Sequence, residues 1–137
     1  MPTMIFVNLP VRDLDRSLAF FKAMGYSHNP QFTDETAACL VISDSIFVML
    51  LTETKFKEFT KKQLADTNTT TEVILALSAE SREQVDEVVT KAIAAGAGPA
   101  NDPMDLGFMY SRSFHDLDGH QWEYVWMDEN AEPPHEG

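Results

Sequence analysis

The chain contains little cysteine, little positive charge and no long apolar run. A single cysteine, Cys39, among 137 residues excludes an internal disulfide and is typical of a reducing cytoplasm. No apolar run approaches the roughly 20 residues that span a bilayer. The N-terminal residues also lack the basic and apolar regions of a signal peptide. These absences predict a cytoplasmic protein that does not enter a membrane.

Basic residues are outnumbered by acidic ones, 10 to 22, and the formal net charge is −12. Such a charge repels phosphates and argues against a nucleic-acid partner. It favours cationic small molecules as ligands. The alternative is that the acidic surface only keeps the protein in solution.

The first half of the chain predicts one strand, one helix and then further strands. Residues 4–11 alternate as in a strand. Asp13 can cap the helix that follows, whose apolar residues recur at helical spacing, and Gly25 is placed to end it. Two β-rich runs come next, joined by a turn near Asp44.

The same order then repeats. A strand near residues 72–78 precedes a helix with Ser81 and Gln84 as a capping box, and Gly96 ends that helix. Two strands follow, around an Asp118-Gly119 hairpin turn. We predict a single domain over residues 1–128, with modules at 4–53 and 72–127 and a linker at 54–71. The acidic tail, 129–137, is predicted to be disordered. One helix followed by consecutive strands in each module indicates an α+β fold with mostly antiparallel sheet.

Two segments resemble one known family. "FVNLPVRDLDRSLAFFKAMGY" is similar to the opening of vicinal oxygen chelate proteins, the relatives of glyoxalases, bleomycin-resistance proteins and extradiol dioxygenases. "FHDLDGHQWEYVW" resembles their closing strand. The likeness covers nearly all of the chain up to Asp128 and is nearest to the poorly characterised glyoxalase-like branch. It implies two βαβββ modules whose curved mixed sheets surround a central cup, and a homodimer.

The resemblance also implies positions for a metal site. Metal-dependent members place ligands at the start of the first strand and within the last strand of each module. Carried over, these positions are Phe6, Met49, Glu72 and Glu123. Phenylalanine and methionine do not suit a divalent ion that is held by oxygen and nitrogen. Glu72 and Glu123 remain, with Asn8 as a weak neutral ligand, so the cofactor is either a weakly held divalent metal or none.

Glu123 carries the main catalytic hypothesis. As a general base in the cup it could move a proton in a glyoxalase-type reaction. The alternative is a structural acid that pairs with Arg112 or a backbone donor. His115 and His120 flank the turn, and a structural role for them is favoured over metal binding because their spacing does not match one face of a strand.

Apolar and aromatic residues are predicted to line the cup, if strand alternation holds. This cup suits a small amphipathic ligand, unless its own side chains fill it. Arg112 could hold an anionic group of such a ligand, or pair with Glu123 or Asp118. The predicted ligand-binding residues are Phe6, Asn8, Met49, Phe108, Tyr110 and Arg112.

Two functions therefore stand as hypotheses. The first is a family member that binds a small amphipathic molecule without a complete metal site. The second is a metal-dependent enzyme of the lactoylglutathione-lyase type, in which Glu72 and Glu123 hold the ion. An enzyme would be a lyase or isomerase of glyoxalase type, or a dioxygenase relative.

Overall fold

A computed structural model describes residues 2–130. The predicted tail lies largely at 131–137, outside the described residues. Over residues 2–130 the fold consists of two sheets, three α-helices and a short 3₁₀-helix at Pro30–Phe32. In chain order the elements are β1 (Ile5–Val11), α1 (Leu14–Ala23), β2 (Ser27–Asn29), β3 (Ala37–Val41), β4 (Ile46–Thr52), α2 (Glu53–Lys57), β5 (Ile74–Ser78), α3 (Arg82–Ala94), β6 (Gly98–Pro99), β7 (Met104–Asp105), β8 (Met109–His115) and β9 (Gln121–Met127).

Each module builds one sheet, which confirms the predicted α+β class. The first sheet has the strand order β1-β4-β3-β2, and β1 and β4 are parallel. The second has the order β5-β9-β8-β6, with β7 also paired to β8 and β5 parallel to β9. The first strand of each module is therefore an edge strand next to the last strand of the same module.

Local sequence signals place the two long helices. The Asp13 side chain accepts a hydrogen bond from the Arg16 N–H, and Ser81 accepts one from the Gln84 N–H. Both contacts satisfy a donor that the first helical turn leaves free. Helix α1 turns Leu14, Phe20 and Phe21 inward.

The two modules share one core. Phe20 of α1 packs near Phe114 of β8, with ring centroids 6.3 Å apart, and Phe21 lies 5.2 Å from Trp122. Burying one such side chain stabilises the fold by about 2–3 kcal/mol. The helices thus lie between the two sheets, and each sheet turns its other face outward.

We call these outward faces the open faces. Strand pairing assigns Phe6, Asn8, Phe47 and Met49 to the open face of the first sheet. It assigns Ile74, Ala76, Glu123 and Val125 to that of the second. Several of these apolar side chains are exposed: Phe6 is 50% exposed and Ile74 is 52%. In one chain the two halves of the expected cup face different directions, because the shared core lies between the sheets.

Residues 58–73 connect the modules, and we call them the connecting segment. Strand β5 begins at Ile74, so Glu72 lies just before the strand that was predicted to contain it. Within residues 2–130 no helix has the length and apolarity that crossing a bilayer requires.

Candidate functional site

Strand register defines which positions of the two modules are equivalent. In the first module Phe6 pairs with Phe47 and Asn8 with Met49. In the second, Ile74 pairs with Gln121 and Ala76 with Glu123. Helix caps give the same alignment, since Phe6 and Ile74 each lie seven residues before their cap, Asp13 and Ser81.

Glu72 is therefore not the counterpart of Phe6, and the predicted alignment is wrong by two residues. Ile74 occupies that position instead. The Glu72 carboxylate is bound by His120, with Oε1 2.8 Å from Nδ1. Along the strand direction Glu72 and Glu123 are separated by roughly 13 Å, four residues at the rise of a strand.

Glu123 lies near the middle of the open face of the second sheet. Its neighbours across the strands are Ala76 on β5 and Ser113 on β8. The side chain is partly exposed, and no described residue forms an ion pair with it. The strand contains this carboxylate without a buried partner because the open face gives it access to water.

The open face of the first sheet is mainly apolar. The rings of Phe6 and Phe47 stack with centroids 5.0 Å apart. The Asn8 side-chain amide donates a hydrogen bond to the Phe6 carbonyl oxygen, 3.2 Å away. Met49 is partly buried beside Cys39, its partner on β3. Three predicted ligand-binding residues, Phe6, Asn8 and Met49, are thus brought together on one face.

The other three predicted ligand-binding residues lie elsewhere. Arg112 pairs across the strands with Tyr124, on the face that packs against the helices. Tyr110 and Arg112 both donate to Asp86 of α3, at 2.6 and 3.0 Å. These two side chains do not share the face of Glu123, because successive residues of a strand alternate between faces.

The expected pairing of Arg112 with Glu123 or Asp118 is replaced by an ion pair with Asp86. Hydrogen bonds from Tyr110 and Arg112 lower the pKa of the Asp86 carboxyl. Phe108 lies in a bend before β8 and is partly buried.

Comparison with known proteins shows which family this chain belongs to. Residues 3–43 match the family model described as bleomycin resistance protein-like N-terminal. The hypothetical protein SA1046 from S. aureus is 30% identical, with a TM-score of 0.77 over 92% of this chain and 95% of that one. The chain belongs to the vicinal oxygen chelate superfamily. No curated protein is significantly similar to it.

Two further solved structures share the superfamily fold. A glyoxalase/bleomycin resistance protein/dioxygenase from Nocardioides is 22% identical, with a TM-score of 0.73 over 100% of this chain and 91% of that one. A lactoylglutathione lyase from Agrobacterium tumefaciens is 16% identical, with a TM-score of 0.65 over 92% and 94%. The predicted resemblance is confirmed at the level of family and fold.

The metal positions of a vicinal oxygen chelate protein are poorly matched here. The equivalent residues are Phe6, Met49, Ile74 and Glu123, of which only Glu123 offers an oxygen or nitrogen donor. Within residues 2–130, no three His, Cys, Asp or Glu side chains form a group that could hold a metal ion. This donor set does not fit the metal centre that the superfamily implies.

The turn Asp116–His120 is the polar centre of the fold. The Asp116 carboxylate accepts hydrogen bonds from the backbone N–H groups of Asp118 and His120 and from Trp122 Nε1. Asp118 accepts from the Arg12 N–H and from the Ser17 hydroxyl, both at 2.8 Å. Hydrogen bonds to the turn of the second module therefore hold the end of β1 and the start of α1 in place.

His120 is 1% exposed, and both of its ring nitrogens have hydrogen-bond partners. Its Nδ1 faces Glu72, and its Nε2 lies 2.7 Å from the Pro10 carbonyl oxygen. Both partners are acceptors when Glu72 is ionised, so a protonated ring satisfies them both. Burial lowers the pKa of His120, but Asp116, the Pro10 carbonyl and Glu72 together raise it above its ordinary value. The structural role favoured for His120 agrees with these contacts, although no sequence signal identified its partners.

Proposed function

We propose that this protein binds a small amphipathic molecule, preferably a cationic one, on the open faces of its sheets, without a complete metal site. The observation that carries the proposal is the residue set at the four superfamily metal positions. Three of them are phenylalanine, methionine and isoleucine, which attract apolar groups rather than ions.

The shape and polarity of the open faces support a ligand with a flat apolar body. Stacked Phe6 and Phe47 offer an aromatic surface, and Ile74 extends the apolar area on the other sheet. Aromatic rings also attract cations over their faces. The single carboxylate of Glu123 and the net charge of −12 favour a positive group on that ligand.

A homodimer is part of the proposal. Within one chain the two open faces point away from each other, because the helices and the shared core lie between the sheets. A second copy could place the open face of its second sheet opposite the first sheet of this chain. That arrangement would enclose a cup and remove Phe6 and Ile74 from water.

The lactoylglutathione-lyase alternative requires Glu72 and Glu123 to hold one ion. Glu72 is bound by His120 instead, and it lies two residues before the equivalent strand position. These contacts favour a ligand-binding protein over a metal-dependent lyase.

Ligand binding is tested by thermal unfolding with polycyclic aromatic cations such as ethidium and acridine orange. A compound that binds only the folded protein raises the unfolding midpoint. We expect a shift that is lost in Phe6→Ser and kept in Phe59→Ser, an exposed phenylalanine outside the sheets. No shift with any cation, or equal loss in both variants, contradicts the proposal.

The metal question is tested by elemental analysis of protein purified without chelator or affinity metal. We expect no stoichiometric divalent ion, even after dialysis against zinc, nickel and manganese. About one ion per chain that disappears in Glu123→Gln would overturn the proposal in favour of the lyase.

A further inference from the structure

A concave surface lies at the outer edge of β1, beside the residues that lead into β5. The connecting segment passes beside this edge and leaves a cleft of about 440 Å³. Its volume is within the range of small-molecule sites. None of the four superfamily metal positions lines it.

The cleft has apolar walls and a charged floor. Its walls include Val7 and Leu9 of β1 and Phe56, Leu64 and Val73 from the other side. The floor is formed by Glu72 and His120. A mostly apolar lining with few polar groups suits a ligand that has an apolar body and one polar head.

The carboxylate on the floor can accept further hydrogen bonds. His120 uses only Oε1 of Glu72, so Oε2 keeps its capacity to accept. The Glu72 side chain is 29% exposed, which leaves it accessible to a ligand while water only partly screens its charge. A donor that carries positive charge forms the strongest hydrogen bond to such an oxygen.

Other charges around the cleft are mixed. Lys62 lines it as well and is exposed to solvent. A neighbouring cleft shares Pro10 and His120 and adds the acidic residues Glu53, Asp66 and Asp118, with Arg12. Acidic groups therefore outnumber basic ones near the floor even with His120 protonated, four to three.

From this arrangement we propose that the cleft between β1 and the connecting segment binds a small apolar molecule with a primary ammonium group, which donates to Glu72. The apolar body lies against Leu64 and Val73, and the ammonium group points to the floor. Of the open-face residues this site includes Asn8 but none of Phe6, Phe47, Ile74 and Glu123, so it does not depend on the function proposed above.

Benzylamine is a suitable probe, with benzyl alcohol and benzoate as matched compounds of similar size. We would titrate each into the full chain and follow backbone amide resonances by NMR. We expect benzylamine to shift resonances around Leu64, Val73 and Asn8. Benzyl alcohol should bind at least about fivefold more weakly, because it lacks the charge. Benzoate should not bind.

Three variants locate the site. Glu72→Gln should weaken benzylamine at least about fivefold, as loss of a charged hydrogen-bond acceptor does. Val73→Trp, at a position that is 37% exposed, should fill the cleft and abolish the shifts around Leu64. Ile93→Trp places the same ring on an exposed position of α3 and should leave binding unchanged.

Glu123→Gln separates this site from the open faces, because the benzylamine-induced shifts around Leu64 and Val73 should be unchanged in this variant. Equal binding of benzylamine and benzyl alcohol would overturn the proposed head group. Resonance shifts around Glu123 with none around Leu64 and Val73, or shifts around Leu64 that survive Val73→Trp, would overturn the proposed location.

Discussion

The turn Asp116–His120 buries polar side chains, whereas the open faces of the two sheets expose apolar ones. The turn buries acidic and imidazole side chains, and each has hydrogen-bond partners. The open faces expose phenylalanine and isoleucine to solvent. Buried polar groups with complete partners specify how the modules join, whereas the exposed apolar groups provide the surface for the ligand and the second subunit that we propose. The mutations below test this contrast between a structural and a binding region.

The largest effect is expected at Asp116. Asp116→Ala removes three hydrogen bonds and leaves the indole N–H of Trp122 buried without a partner. Such a change should lower the free energy of unfolding by about 3–5 kcal/mol. Urea denaturation followed by tryptophan fluorescence measures the loss.

Asp34 provides the matched control for Asp116. Its carboxylate also accepts three hydrogen bonds, from the Thr36 N–H, the Thr36 hydroxyl and the Ala37 N–H, but it is exposed. Asp34→Ala should be clearly milder, because water can replace the lost acceptor. Equal losses in the two variants would show that burial of the turn is not what makes it important.

A smaller effect is expected at Gly119, which has a positive φ of 83° within the turn. An added Cβ would lie 2.8 Å from the Thr67 carbonyl oxygen of the connecting segment. Gly119→Ala should therefore cost about 2–3 kcal/mol, from backbone strain and from this contact.

Gly107 has a nearly identical φ of 84°, with nothing within 4 Å of a built Cβ. Gly107→Ala should cost only about 1 kcal/mol, the strain alone. Thermal and urea unfolding of both variants would isolate the contribution of the turn's contact with the connecting segment. If both variants lose the same free energy of unfolding, the contact between the turn and Thr67 is not tight.

The pH dependence of stability tests the buried imidazole. The folded pKa of His120 is raised above its ordinary value, so its stabilising contribution is complete below the unfolded pKa of about 6.5. This contribution disappears as pH rises through the folded pKa. Stability should fall on the alkaline side of 6.5, by about 1–2 kcal/mol in total.

Glu72→Gln should reduce that pH dependence, because it removes the carboxylate that favours the protonated ring. The comparison of the wild type with Glu72→Gln is made by urea unfolding between pH 6 and pH 9. His28→Gln, a change in a strand of the first sheet, is the control and should keep the wild-type slope. A wild-type slope in Glu72→Gln would disprove the role of this ion pair.

The smallest effect is expected on the open face. Glu123→Gln should change the free energy of unfolding by no more than about 0.5 kcal/mol, since no described residue pairs with the carboxylate. The same variant should weaken binding of a polycyclic cation in the thermal-shift measurement. A large loss of stability would place Glu123 among the structural acids and remove the contrast with Asp116.

Much of the fold could be predicted because its signals are local. Asp13 and Ser81 cap their helices as expected, and Gly25 and Gly96 follow the helix ends. These features depend on residues a few positions apart, where backbone geometry leaves few choices.

The candidate site was harder to predict, because it depends on register and on distant partners. A strand start placed two residues early made Glu72 appear equivalent to Phe6, although Ile74 holds that position. Tyr110 and Arg112 were expected in the cup, but Asp86 of α3 binds them on the helix side. A strand's two faces look alike when both carry aromatic residues, so alternation alone does not say which face is outward.

The sequence by itself determined the two repeated modules, their helices and strands, and the family, because these follow from local periodicity and from two extended motifs. Tertiary structure alone decided the partners of Glu72, Arg112 and His120, and it turned the open faces outward. These outcomes depend on contacts between residues as far apart as Pro10 and His120. Such contacts form only when the shared core brings the modules together.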